Sequence, residues 1–166
     1  MPINHASFAV TPRTSAERDE ITWVEAMATA YLAHLESISA ELDAVHVHGA
    51  SSKRIQDLVV PWLEKEYDAE SECGDGFEET STRGNRADAQ IPIPERPERR
   101  VIVEVERGGT ITNNHDLKDL WKTHLSPIAG HLFLIVPNSI TAGDGTPRAD
   151  RAFTQSCARL GAFFTE

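Results

Sequence analysis

The chain contains 166 residues, of which 40% are hydrophobic and 25% are charged, and this size and balance are typical of one globular domain with a single core. Its formal net charge of -10 argues against a protein that binds phosphate groups through a broadly basic surface. Two widely spaced cysteines argue against a disulfide scaffold or a zinc module, and the lack of a long apolar run or a secretory leader predicts a soluble, cytoplasmic protein.

The first part of the chain predicts two amphipathic helices. From about residue 15 to residue 42, apolar side chains recur every three or four positions, so we expect a long scaffold helix. Ser52 can cap a second helix, which Pro61 is expected to bend and which carries the apolar stripe Ile55, Leu58, Val59, Trp62 and Leu63. Continuing this stripe by three and four residues reaches Glu66, so we expect its carboxylate on or beside the buried face.

Two neighbouring strands are predicted in the middle of the chain. Residues 86–93 alternate in polarity and are followed by a charged turn that is rich in proline. In residues 100–106 the valines point to one face of a strand, whereas Glu104 and Glu106 point to the other. If the two strands pair as an antiparallel hairpin, Asp88 lies across from these two glutamates.

The last part of the chain predicts a helix, a strand and a further helix. Asn113 or Asn114 can cap a third helix, whose apolar stripe is Leu117, Leu120, Trp121 and Leu125. Residues 131–136 form a continuous apolar run, which is typical of a strand covered on both faces. An amphipathic segment follows from about residue 148 to residue 160. Helices and strands therefore alternate, and we expect an α/β protein.

Acidic residues on the two middle strands form the main candidate site. Glu104 and Glu106 are two residues apart on one strand, so their carboxylates project from the same face and repel each other. Such a pair is tolerated when a cation lies between the groups, when basic side chains neutralise them, or when the face is solvated. With Asp88 across the hairpin, three carboxylates converge, a ligand set that suits Mg²⁺ or Mn²⁺. A solvated strand face is the alternative interpretation.

The segment Arg86-Ala87-Asp88, followed by a strand at 101–106, a helix and the apolar run 131–136, resembles the core of the PD-(D/E)XK superfamily of restriction-endonuclease-like nucleases. The resemblance covers roughly residues 50–140. It implies a mixed central β-sheet flanked by helices, with Asp88 and Glu104 as ligands of Mg²⁺. It also implies metal-dependent hydrolysis of phosphodiester bonds in DNA.

The sequence departs from the family's pattern at two positions. Ala87 stands where the family often has proline, and Glu106 stands where it usually has lysine. Some restriction endonucleases of the family carry glutamate at the second position, so the site resembles that acidic variant, in which Glu106 orients or deprotonates the attacking water. Alternatively, Lys118 or Lys122 on the following helix supplies a displaced ammonium group.

The family also often places a glutamate on the helix before the hairpin. Glu66 is the candidate for this role, with Glu64 next. Around the core at 50–140 we expect one domain that spans residues 1–166 and includes a helical scaffold at 1–48 and a C-terminal helix within 147–166.

Partners and rival functions follow from the same resemblance. DNA is the expected substrate, and a homodimer is consistent with cutting both strands of a duplex, because this takes two sites. One alternative is a non-catalytic subunit of a nucleic-acid complex on the same fold, in which the acids are vestigial. The other is a protein-interaction module built around the first helix, with the acids merely exposed.

Overall fold

The computed structural model describes residues 3–47, 49–73, 86–107, 113–139 and 151–164. In these ranges the chain forms five helices, α1 Ser15–Ser37, α2 Ser39–Val45, α3 Ser52–Tyr67, α4 His115–Leu125 and α5 Ala152–Gly161. It forms four strands in the same ranges, β1 Glu70–Ser71, β2 Ala89–Ile93, β3 Arg96–Val105 and β4 Ala129–Ile135. The predicted α/β class is therefore confirmed.

The four strands form one open mixed sheet in the order β1-β2-β3-β4. β2 and β3 pair antiparallel, with Ala89 opposite Val103 and Ile91 opposite Val101, so the predicted hairpin is confirmed. β3 and β4 are parallel neighbours, and α4 makes the crossover between them. The sheet thus joins a hairpin to a β-α-β unit, which requires both faces of β3 to be covered.

The main core lies between one face of the sheet and helices α1 and α3. Its most deeply buried members come from both helices and both central strands: Met27, Val59, Leu63, Ile91, Val101 and Val103. The Tyr31 hydroxyl donates to the Val59 carbonyl at 3.2 Å, which ties α1 to α3. The predicted long first helix is interrupted at Ile38, whose φ of -106° and ψ of 17° separate α1 from α2.

The opposite face of the sheet is covered by α4, and the predicted apolar stripe of this helix is wrong in part, since Leu117 and Leu120 are partly buried but Trp121 and Leu125 are exposed. Its buried residues are Asp116 and Asp119, whereas Trp121 is 59% exposed and Leu125 is 57% exposed. Asp116 is neutralised by Arg159 of α5, and Asp119 lies 3.7 Å from Lys122 of its own helix. Polar partners therefore help to set which face of α4 points inward.

Other boundaries differ modestly from the predictions. The segment expected from about residue 148 to 160 is observed as α5, and residues 140–150 lie outside the described part of the chain. Every side chain of β4 is only partly buried, so its apolar run does not reflect complete coverage on both faces. In the described ranges, every helix is too short or too polar to cross a membrane.

Candidate functional site

The hairpin places Asp88 beside Glu104. Ala89 pairs with Val103, so extending the antiparallel register by one residue brings Asp88 opposite Glu104, with both side chains on the same face. Asp88 Oδ2 accepts a hydrogen bond of 2.7 Å from the Val105 N–H, which fixes the carboxylate at the end of the strand pair. Burial raises the pKa of Asp88, while this hydrogen bond and one from Gln56 of α3 oppose the rise.

Glu104 is the most informative acid of the cluster because it is only 5% exposed. It forms an ion pair with Lys122 of α4. Burial, reinforced by repulsion from Asp119 and Asp88, raises its pKa from 4.5 to about 7 despite the attraction of Lys122. The solvated-face alternative is therefore wrong for Glu104.

Glu106 follows the last residue of β3 and is half-buried. Its Oε2 lies 2.8 Å from Nδ1 of His115, the first residue of α4. Its backbone N–H donates to the Ile135 carbonyl at 2.9 Å, which continues the pairing of β3 with β4. Glu106 also lies close enough to Asp119 to raise the pKa of that carboxyl group. Glu106 therefore lies in the same group of acids as Asp88, Glu104 and Asp119, and its carboxylate is oriented by His115.

Of the two candidate lysines, Lys122 rather than Lys118 reaches the carboxylates. Besides Glu104, the Lys122 Nζ lies 3.7 Å from Asp119 Oδ1 and 3.4 Å from the Arg86 carbonyl oxygen. Lys118 is exposed and acts on the cluster through its attraction to Asp119. Lys122 is three residues after Asp119 and shares its helix face, whereas Lys118 is next to Asp119 and points elsewhere.

The prediction that Glu66 approaches the buried face is wrong. The buried stripe of α3 runs through Ile55, Val59 and Leu63 and continues to Tyr67, one residue later, so Glu66 points to solvent and pairs with Lys65. Glu64 accepts a hydrogen bond from Ser71, also at the surface. The side chain by which α3 contacts the acids is that of Gln56, on Asp88. No sequence pattern separates this glutamine from other polar residues of the helix.

Asp119 is the member of the cluster that the sequence did not predict. It is 3% exposed, and its Oδ2 has no hydrogen-bond partner in the part of the chain that the structure describes. Burial raises its pKa, and repulsion from Glu106 adds to the rise while Lys122 opposes it. The sequence does place Asp119 three residues before Lys122, on the helix that follows the paired glutamates. That spacing was the one signal that could have pointed to Asp119 as a member of the site.

Within the described ranges, the assembled site contains four carboxyl groups, Asp88, Glu104, Glu106 and Asp119, close to the ammonium group of Lys122. Such an excess of buried acid is stabilised by bound protons or by a cation. Among the described residues, no three His, Cys, Asp or Glu side chains are already arranged to hold a metal ion. The donor chemistry fits a hard cation, provided that these side chains move on binding.

Comparison with known proteins adds no relative. No family model, no curated protein and no solved structure matches the chain.

Proposed function

We propose that this protein hydrolyses phosphodiester bonds in DNA with the help of Mg²⁺ or Mn²⁺, on a restriction-endonuclease-like fold. The observation that carries the proposal is the burial of Glu104 opposite Asp88, at the end of a hairpin that leads into a β-α-β unit. A carboxyl group is placed in such surroundings at a cost in stability, because its charge loses solvation. Functional sites are the usual place for this arrangement.

Residues of the hairpin and of α4 have different roles in the proposed site. Asp88 and Glu104 are the ligands of the cation, which when bound lowers the pKa of a water molecule and stabilises charge on the phosphoryl oxygens. Glu106, whose orientation is fixed by His115, accepts a proton from the attacking water. Lys122 supplies the positive charge that the family usually takes from the position of Glu106. This proposal replaces Lys118 by Lys122 and leaves Glu66 without a role.

Cleavage assays with matched variants test this proposal. The purified protein is incubated with supercoiled plasmid and with short single- and double-stranded DNA, in Mg²⁺, Mn²⁺ or chelator. We expect metal-dependent cleavage that falls by at least about a hundredfold in Asp88→Asn and in Glu104→Gln, since each removes a ligand charge. Glu25→Gln, on the exposed side of α1, is the control and should cleave like the parent.

A second candidate function is a non-catalytic subunit or interaction module on the same fold. The exposed Trp121 and Leu125 on α4 favour it, because large apolar side chains at a surface often mark a contact with another chain. In that case neither Mg²⁺ nor Mn²⁺ raises the melting temperature above that in NaCl of equal ionic strength. By contrast, a cation that binds only the folded state and is present at about a hundred times its Kd would add about 2.7 kcal/mol to the free energy of unfolding.

A further inference from the structure

Two aspartates of α4 are buried to a similar extent but have different surroundings. Asp116 accepts a hydrogen bond of 3.1 Å from the Ser156 hydroxyl, and its Oδ1 lies 3.3 Å from the Arg159 guanidinium, so α5 neutralises it. Asp119, three residues later, has no such partner from α5 among the described residues, and its Oδ2 is unpaired there. The burial of Asp116 is therefore explained by its contacts with α5, whereas the burial of Asp119 is not.

The surroundings of Asp119 all belong to the acid cluster. Its Oδ1 lies 3.7 Å from the Lys122 ammonium, and its carboxyl group lies within hydrogen-bonding reach of the Glu106 carboxyl group, which disfavours the charge of Asp119. A carboxyl oxygen that is buried without a donor is rare in folded proteins and calls for a partner. A shared proton or a cation can supply this partner, and a cation bound by the neighbouring proposed ligands would also lie within reach of Asp119.

The position of Lys122 indicates where that cation binds. Its ammonium group contacts Glu104, faces Asp119 and is attracted by Asp88, so it is surrounded by three of the four acids. The lysine side chain is 12% exposed, and its carbon chain comes from the same helix as Asp119. A divalent cation among these oxygens would have to displace the ammonium, because two positive charges cannot share the position.

We propose that Asp119 is a further ligand of the divalent cation and that the Lys122 ammonium occupies the cation's position until the cation binds. This inference rests on the proposed metal-dependent function and adds a ligand from α4 to those of the hairpin. It explains why the described side chains form no ready metal site: the lysine holds the carboxylates in the arrangement that suits an ammonium group. Cation binding then displaces the Lys122 ammonium from these carboxylates.

Binding of Mn²⁺ to the intact protein tests the inference without any cleavage assay. Calorimetric titration at neutral pH should show one site in the parent protein and in Glu25→Gln. We expect Asp119→Asn to weaken Mn²⁺ binding by about tenfold or more, as loss of a ligand does. Asp116→Asn is the matched control on the same helix, since it should lower the melting temperature while Mn²⁺ affinity stays within about twofold. Lys122→Gln should bind Mn²⁺ more tightly than the parent.

Chemical labelling of lysine gives a second measurement that does not depend on any variant. Lys122 should react slowly with acetic anhydride in chelator and faster once Mn²⁺ is added, as measured by mass spectrometry of peptides, with exposed Lys53 as the internal reference. If Asp119→Asn binds Mn²⁺ like the parent while Asp88→Asn does not, or if Lys122 labelling is unchanged by Mn²⁺, the inference is overturned and the proposed function stands. If the parent protein binds no Mn²⁺, both fail.

Discussion

Glu104 couples the stability of the apo protein to pH. Because burial raises its pKa from 4.5 to about 7, the folded state favours the protonated carboxyl group. Its contribution to stability is fully present below about pH 4.5 and is lost as the pH rises through about 7. In chelator, we expect the free energy of unfolding to fall by about 1–3 kcal/mol between about pH 5 and pH 8, as measured by urea denaturation.

The Glu104→Gln variant isolates this carboxyl group. A glutamine is neutral at every pH, so the fall in stability over the same interval should be clearly smaller, whatever constant offset results from loss of the ion pair with Lys122. Glu25→Gln should keep the full slope. Parallel pH profiles for the parent protein and Glu104→Gln would contradict the burial of a titrating carboxyl group at this position.

Single residues of the site differ in how far the sequence predicts them. Asp88 and Glu104 are predictable because strand alternation fixes the side on which each lies, and pairing of the strands then brings them together. The choice between Lys118 and Lys122 requires the rotation of α4 about its axis, which depends on what α4 packs against. Asp119 was missed for the same reason, since an acid on a helix is usually solvated.

At the scale of elements, α4 buries two aspartates and exposes two of the four residues of its predicted apolar stripe, Trp121 and Leu125. Trp121 is 59% exposed and stacks on His124 with ring centroids 5.4 Å apart, so it adds little to the core. We expect Trp121→Gln to lower the free energy of unfolding by less than about 1 kcal/mol, whereas Leu63→Ala, at a fully buried site of α3, should lower it by about 2–5 kcal/mol. A cost for Trp121→Gln that grows with protein concentration would show that a second copy covers this face.

The buried carboxylate of Glu20 links α1 to the sheet, far from the acid cluster. Glu20 accepts hydrogen bonds from Arg99 Nε at 2.9 Å, and its Oε1 lies 2.8 Å from His131 Nε2, so one helix residue contacts both parallel strands. A Cβ at Gly130 would lie 2.8 Å from Arg99 Nη2 and 3.1 Å from Glu20 Oε1. A side chain at position 130 would therefore displace the Arg99 guanidinium from Glu20.

Gly130→Ala should consequently destabilise the fold without touching the acid cluster. We expect a loss of about 1 kcal/mol in urea denaturation, because the methyl group forces the Arg99 guanidinium away from Glu20, which keeps its contacts with Arg96 and His131. Binding of Mn²⁺ should be unchanged. The combined variant Gly130→Ala with Glu20→Gln should lose little beyond Glu20→Gln alone, and fully additive losses would show that Gly130 acts independently of the network.

The order of elements was more predictable than their packing. The hairpin, the crossover helix and the last strand each follow from local periodicity and turn residues, so their existence is visible in the sequence. The break in the first helix at Ile38 is not, because apolar residues continue at helical spacing across it. The same holds for the buried face of α4, which depends on the contacts of Asp116 with α5 and of Lys122 with Glu104, both distant in sequence.

Across the whole molecule, the two ionic clusters lie at opposite ends of β3. The Glu20 network joins Arg99 and His131, where β3 and β4 begin to pair, and the acid cluster joins Glu104 and Glu106 at the carboxyl end. The carboxyl end of parallel strands is the usual location of binding sites in open α/β sheets. The first cluster is internally neutralised by two arginines, while the second retains excess acid. The second cluster is therefore the one at which we propose that a cation binds.

We expect association with DNA to depend on the proposed cation, because the net charge of the chain is -10. In chelator we expect no binding of a short labelled duplex at micromolar protein, measured by fluorescence anisotropy, because like charges repel. Adding Ca²⁺ or Mn²⁺ should produce binding that equal ionic strength in NaCl does not, and Asp88→Asn with Glu104→Gln should abolish the gain. Tight binding in chelator with a steep dependence on salt would instead mean that basic clusters such as Arg96 to Arg100 hold the phosphates.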